Sequence, residues 1–417
     1  MQDYRHIARK ITLVLFTSQS LSSSAFISAF TVNALVGVDL TGQTAMAGVP
    51  GAIYVTGQGC GAMIWGIAME KFGRRRSLAF GQMLGVTGSV VAATAVISRC
   101  FLLFLGGLVL VGMARSAVDL GRFVAAEVHL PAERGRAIAN VLLGSTVGAV
   151  LGPLLVGPLG RLALAAGLPE LAGAYGIGFA VLFLAALIIF LGLRPEPRDI
   201  ARELAHFTEE SPRPEAAHAL GKILHRPGVI VAMVSLIFAQ LVMVVPMSIT
   251  SVHMKMHNHP LTSLSLVISV HTLGMFAFSL ISGKLTDRWG RGPVIALGSF
   301  AMMISCFMAA PSVSLLPLMC ALFLLGLGWN FAYVAGSTLL ADQLFPQERA
   351  KTQGINDLLL NLASGGGQVI SGVMFAAGGY GLMSLAAAAA AAVPLVLTVW
   401  WERSRRNCLG LTSADTK

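Results

Sequence analysis

Charge is scarce in this chain. Asp, Glu, Lys and Arg make up 12% of its 417 residues, where a soluble domain carries about 25%. That shortage excludes an ordinary soluble globular protein, and a mean hydropathy of +0.77 points the same way. Cysteine is scarce too. Cys60, Cys100, Cys306, Cys320 and Cys408 form no C-x-x-C or other ligand spacing, so neither a disulfide framework nor a zinc site is implied. A nucleotide-binding glycine loop is missing, as is a Ser/His/Asp arrangement, so no enzyme activity and no cofactor is expected. Acidic residues are outnumbered, 19 against 29 Lys and Arg, for a formal charge of +10.

What is abundant is apolar sequence. About twelve runs of roughly 20 residues, the length a bilayer demands, lie near 11–36, 46–69, 77–98, 101–125, 137–160, 172–193, 229–252, 261–282, 293–312, 316–340, 352–377 and 383–401. The first run has no small-residue cleavage site and reads as a span, not a signal peptide. The expectation is an all-α polytopic membrane protein of 12 transmembrane helices, with the lipid bilayer as its surroundings. With both termini placed in the cytoplasm, every Lys and Arg falls on the cytoplasmic side except Arg99, Arg161 and Lys255 outside and Arg115 and Arg122 within a span. That asymmetry is the positive-inside rule. The basic excess therefore reports orientation, and no nucleic-acid partner is expected.

The longest polar stretch divides the chain. It contains Arg194-Pro-Glu-Pro-Arg-Asp and Glu209-Glu-Ser-Pro-Arg-Pro, with a short amphipathic piece from Ala216 to His225. The expected domains are an N-terminal six-helix bundle at 1–193, a cytoplasmic linker at 194–228, and a C-terminal six-helix bundle with a short tail at 229–417. The halves repeat. Gly66-Ile-Ala-Met-Glu70-Lys-Phe-Gly73-Arg74 matches Gly283-Lys-Leu-Thr-Asp287-Arg-Trp-Gly290-Arg291 at an offset of 217. Ala126-Glu127-x3-Pro131-x-Glu133-Arg134 matches Ala341-Asp342-x3-Pro346-x-Glu348-Arg349 at an offset of 215. Parallel repeats of this kind build transporters with a site where the repeats meet.

The first repeated motif resembles the loop signature of the major facilitator superfamily, G-x-x-x-D-R-x-G-R-[KR], with Glu70 in place of the first Asp and Asp287 kept. The resemblance covers the whole chain. It implies the major facilitator fold, two pseudo-symmetric six-helix bundles working by alternating access. In this reading Glu70, Arg74, Glu127 and Arg134, with Asp287, Arg291, Asp342 and Arg349, form the inner gate. The competing reading is that these charges only anchor topology.

Several residues bear on the cargo. Met243/Met247 and His271/Met275 each have i, i+4 spacing, which places both members on one face of a helix. Thioether and imidazole suit Cu(I). The helix rise orders them by depth as Met247, then Met243 level with His271, then Met275. The outer segment His253, Met254, Met256, His257 and His259 is placed to gather an ion for Met247. Packing methionines and an internally paired histidine are the bland alternative. The pattern M-x-x-x-M followed by H-x-x-x-M resembles the CcoA-like copper-transporter family. That resemblance implies Met243, Met247, His271 and Met275 as copper ligands in a monomeric bacterial inner-membrane importer. Its Cu(I) would pass from a periplasmic donor to a cytoplasmic acceptor and supply cbb3-type cytochrome c oxidase assembly. Relatives in the same broader family are assigned to riboflavin.

The alternative cargo is organic: a riboflavin-like vitamin taken up, or a drug or metabolite exported. Trp329, Asn330 and Tyr333, with Gln19, Ser22 and Ser23, are the groups that would line its cavity. Charges inside spans are candidates for coupling. Arg115, Asp119 and Arg122 share one helix face, and Asp357 sits on a stripe with Gln353, Asn361, Ser364 and Gln368. Leu108 stands where drug–proton antiporters usually carry an arginine. Gly144-x3-Gly148-x3-Gly152-Pro153 resembles the glycine-proline motif of antiporters, although small residues at every fourth position more often mark a close-packing helix face.

Overall fold

A computed structural model describes residues 2–130, 133–207 and 220–414; the side chains of 2–4, 205–207, 220, 346–347, 349–351 and 405–414 lie outside that description. The described residues are helical apart from turns and short connections. In chain order the helices are α1 (Gln2–Thr41), α2 (Val49–Phe72), α3 (Arg74–Ile97), α4 (Phe101–Glu127), α5 (Arg134–Ala165), α6 (Ala172–Gly192), α7 (Pro197–Phe207), α8 (Leu220–Leu224), α9 (Pro227–Met256), α10 (Leu261–Phe276), α11 (Ser279–Trp289), α12 (Arg291–Ala309), α13 (Leu315–Asp342) and α14 (Pro346–Ala414). Of the expected amphipathic piece Ala216 to His225, residues 216–219 lie outside the described residues, and α8 falls in the remainder.

Among the described residues, ten helical stretches are long and apolar enough to cross a membrane. The twelve apolar runs map onto them in two steps. Helix α14 carries non-helical backbone at Gly378 and at Gly379 (φ +70°), so it holds two spans joined at a glycine kink. Helix α2 has the length of a span, but Thr56, Gln58 and its many glycines dilute its apolar character. One span is itself broken. Helices α10 and α11 are separated at Ala277–Phe278, and Asn330 of α13 bridges the break. Its amide donates to the Met275 carbonyl at 2.5 Å and to Ser279 Oγ at 2.9 Å, while Ser282 donates to its carbonyl oxygen. Asn330 therefore satisfies broken-helix backbone and does not line a cavity as expected.

The chain forms two compact units, one of Met1–Pro212 with Met254–Ser269, the other of Arg213–His253 with Val270–Lys417. In the first, α1 lies along α5 because glycines remove the side chains that would hold them apart. A Cβ at Gly144, Gly148 or Gly152 would collide with the carbonyl of Phe16, Ser20 or Ser24 respectively. Ser28 Oγ then donates to the Gly152 carbonyl at 2.5 Å. The same device joins α2 to α4 through Gly57, Gly61 and Gly112. Gln19 donates to Ser145 Oγ at 2.7 Å, and Gln82 donates to Ser18 at 3.0 Å and Ser22 at 2.8 Å. Gln19, Ser22 and Ser23 are at most 4% exposed. They are buried between helices, which corrects the expectation that they face a cavity.

In the second unit, α10 meets α13 at glycines in the same way. Gly326 faces the His271 carbonyl and Gly274 faces the Phe323 carbonyl. Hydrophobic residues Val229, Ala232 and Leu236 of α9 pack with Ile295 of α12 and Ala335 and Leu339 of α13.

The glycine contacts give a direct test. Gly148→Val should destabilise the detergent-solubilised protein by at least about 1–3 kcal/mol, the range for overpacking. Gly59→Ala, whose Cβ meets open space inside α2, should leave the melting temperature unchanged or raise it, since alanine is the better helix former. Equal melting temperatures for the two variants would refute the α1–α5 zipper.

Candidate functional site

The second unit gathers an aromatic and amide cluster around Trp329. Its indole Nε1 donates to Gln240 Oε1 of α9 at 3.1 Å. Tyr333, one turn along α13, stacks on the Trp329 ring with centroids 4.6 Å apart and planes 20° apart. Phe276, where α10 breaks, meets Trp329 edge-on at 6.3 Å. Trp329 is buried, and Tyr333 and Gln240 are half-buried. Trp329 and Tyr333 were expected at a cavity from sequence. Gln240 joins them as the hydrogen-bond partner of the Trp329 indole.

The cluster also sets a register. Gln240 and Phe276 both contact Trp329, and from there α9 and α10 both extend toward the end that carries Met256 and Leu261. At a rise of ~1.5 Å per residue, Met275 and His271 lie about 1.5 and 7.5 Å from Phe276 along α10, and Met243 and Met247 about 4.5 and 10 Å from Gln240 along α9. His271 is 1% exposed. Its Nδ1 donates to the Leu322 carbonyl at 2.8 Å, which leaves Nε2 as the unprotonated nitrogen, buried with no hydrogen-bond partner. Met243 and Met247 are buried and Met275 is half-buried.

The outer segment is less of a collector than its composition implies. Helix α9 runs on to Met256, because no glycine or proline lies between Pro246, which it passes through, and the turn at Asn258 (φ +63°) and Pro260. His253 therefore sits on the helix, stacked on Tyr380 at 4.2 Å with Nε2 on the Ser312 carbonyl at 2.9 Å. Met254 is fully buried. Of the five His and Met side chains in this segment, Met256 and His257 are exposed and His259 is partly so. Among the described residues no three His, Cys, Asp or Glu side chains group as a metal site.

In the first unit, Arg115 and Asp119 pair at 3.1 Å, and Gln58 Nε2 donates to the same Asp119 oxygen at 3.1 Å. The Arg115 guanidinium also lies over the Phe26 ring at 5.6 Å. Arg122 lies over Phe123 at 4.8 Å and does not join this pair, and its Nε has no hydrogen-bond partner. In the second unit, Asp357 accepts from Gln353 Nε2 at 2.9 Å along its own helix.

The charged residues expected at an inner gate come together in part. Arg74 makes a two-pronged bond to Glu127 at 2.9 and 3.0 Å. Its repeat counterpart Arg291 bonds Asp342 at 2.7 Å and reaches Asp287 at 4.0 Å. Glu70 and Arg134 are exposed and make no ion pair among the described residues. The Arg349 side chain lies outside the described residues.

Sequence reasoning missed three partners. Glu196, from the segment after α6, accepts the backbone N–H groups of Arg74 and Arg75 at 2.6 and 3.3 Å, at the positive start of α3. Glu402, after the last span, lies against Gly292 at the start of α12. Arg226 holds Glu348 with bonds of 2.7 and 2.9 Å, and this contact keeps the Arg226 guanidinium above its ordinary pKa. The signal was present: Glu196 and Glu402 each follow the sixth span of a half. Glu348 is 1% exposed, so losing its guanidinium is costly. Arg226→Ala should lower unfolding stability by about 3 kcal/mol or more, measured by denaturation in detergent, and Arg226→Lys by less. An unchanged Arg226→Ala protein would show that the pair does no structural work.

Residues 12–257 and 247–408 match the sequence profile of the Major Facilitator Superfamily. The chain is similar to the uncharacterized MFS-type transporter YdeG of Bacillus subtilis, 33% identical over 408 residues, 97% of this chain and 94% of that protein. It is similar to the riboflavin transporter RfnT of Brucella anthropi, 30% identical over 355 residues, 85% of this chain and 86% of that protein. Among solved structures it resembles a bacterial homologue of the human lysosomal transporter Spinster, with a TM-score of 0.67 at 18% identity over 94% of each chain.

Proposed function

The chain belongs to the Major Facilitator Superfamily, and on that footing we propose that this membrane transporter carries a planar organic solute of the riboflavin class. The Trp329–Tyr333 stack with its Gln240 bond carries the reading. A flat heteroaromatic ring stacks on such a surface, and an amide pairs with the imide edge of a flavin. A half-buried amide and phenol facing lipid would be costly, so this face of the unit belongs against a hydrated path. The resemblance to RfnT supports the same class of cargo.

In this proposal the basic side of the protein is cytoplasmic, the membrane is a bacterial inner membrane, and both termini are inside. Arg74–Glu127 and Arg291–Asp342 act as inner-gate latches that open in alternating access. Arg115–Asp119 and Asp357 are the places where a coupled proton would bind.

A second reading, Cu(I) import through Met243, Met247, His271 and Met275, is favoured by one observation. A buried imidazole nitrogen without a partner, on a ring whose other nitrogen is fixed by a carbonyl, is how a metal-ligating histidine is held. Here copper is cargo, and the thioethers would hold it weakly enough to release it.

One uptake experiment separates the two. Cells expressing the wild type should accumulate radiolabelled riboflavin, and Trp329→Ala or Gln240→Ala should cut the rate by about tenfold, the loss of one stacking or hydrogen-bonding contact. His271→Ala should leave riboflavin uptake near wild type. In the copper reading, wild-type cells accumulate copper-64, silver competes, and Met243→Ala, His271→Ala or Met275→Ala abolishes uptake. Copper accumulation without riboflavin uptake would overturn the organic-solute proposal.

A further inference from the structure

A cavity of about 320 Å³ opens at the end of the first unit where α1 and α5 begin. Arg5 and Arg9, spaced i, i+4, share one face of α1, and Arg136 and Asn140, with the same spacing, share one face of α5. His129 and Glu133 complete the polar lining. His129 Nδ1 is taken by the Ala125 carbonyl at 2.8 Å. None of the three arginines has an ion-pair partner among the described residues. Three guanidinium groups thus converge on one hole with a single carboxylate. Arginines that only report topology need neither converge nor enclose a space.

The duplicated sequence shows what this position does when it is filled. At the repeat offset of 217, Arg9 corresponds to Arg226, and at the offset of 215, Glu133 corresponds to Glu348. In the second unit Arg226 and Glu348 close on each other at 2.7 and 2.9 Å. In the first, the counterparts stand apart across a cavity, and Arg5 and Arg136 add positive charge to it. The place a carboxylate fills in one half is open in the other to a larger anion. Arginine forks match phosphate oxygens in pairs, and basic pockets at the ends of membrane helices suit phosphate headgroups.

We propose that the cavity of Arg5, Arg9 and Arg136 is a binding site for a phosphate-bearing anion, either an anionic phospholipid headgroup or a soluble phosphate ester. The cavity shares no residue with the Trp329 cluster, and the proposal does not depend on which cargo the transporter carries. Its position at the basic end of the bundle places it at the cytoplasmic leaflet under the positive-inside rule.

The test uses the full-length protein in an uncharged detergent. Dioleoylphosphatidylglycerol in mixed micelles and glycerol 3-phosphate in solution are titrated separately, with phosphatidylcholine as the neutral control, and binding is followed by thermal shift and native mass spectrometry. At least one anionic probe should bind saturably. An Arg9→Gln/Arg136→Gln protein should bind it about tenfold or more weakly, and raised salt should weaken it further. Glu133→Gln should bind it more tightly, and this variant decides the matter if the double variant does not fold. Binding of the lipid alone identifies a headgroup site, and binding of glycerol 3-phosphate as tightly as the lipid identifies a soluble ester. Binding of neither probe, binding of phosphatidylcholine as tight as that of the anionic lipid, or a Glu133→Gln affinity equal to wild type would overturn the proposal.

Discussion

Within a bilayer no water is available to satisfy a stray polar group, so every buried donor and acceptor must find its partner inside the protein. This constraint explains most of the contacts described above. Polar side chains in the spans are spent on backbone carbonyls and on each other: Ser28 on Gly152, Gln82 on Ser18 and Ser22, Asn330 on the broken end of α10. The constraint also makes exceptions informative. His271 Nε2 and Arg122 Nε are buried without partners, at a cost of about 1–3 kcal/mol for an unsatisfied polar group. Such atoms are where a transported ion or a moving helix has something to gain.

The second consequence concerns packing. Lipid is as apolar as leucine, so helices associate through close van der Waals contact. That is why Gly144, Gly148 and Gly152 recur at every fourth position against the α1 backbone. It is also why Gly73 and Gly290, with φ of +86° and +92°, sit where α2 turns into α3 and α11 into α12. Each tight corner leaves helix N-terminal N–H groups exposed, and in the first unit Glu196 covers them. The repeated motif is thus a turn, a helix start and an arginine set against an acid on the next helix, built twice.

How much of this was legible in advance follows from the range of the interactions. Spans, repeats and the glycine zipper are local or periodic, and the sequence carries them openly. Arg74 with Glu127 and Arg291 with Asp342 could be matched because two motifs shared nearly one offset. Arg226 with Glu348 could not, since Arg226 precedes its span with no signature around it. Gln240 with Trp329 is a contact between distant helices, and nothing near either residue announces the other. The collector loop misled for a simpler reason. Five His and Met residues in seven positions look like a loop, but α9 continues through three of them and buries His253 and Met254. The broken span has no proline or glycine at Ala277–Phe278 itself, Gly274 is explained by its packing on α13, and the stabiliser Asn330 is far away in sequence.

Soft-ligand spacing and an aromatic–amide surface occur in the same unit, within about 10 Å of one another along the helix axis, and they make different demands. A copper path needs several sulfur and nitrogen atoms to converge on one point, and the four donors here sit as two pairs, each about one turn apart on its own helix. A flavin-sized ring needs a flat face and one directional polar contact, and Trp329, Tyr333 and Gln240 already make both among themselves. The preorganised arrangement requires less rearrangement before cargo binds, because the tryptophan ring is already held by its bond to Gln240 and by Phe276. For the proposed function, a preformed surface that a substrate can meet with few new ordering costs is the stronger physical argument for an organic solute over an ion.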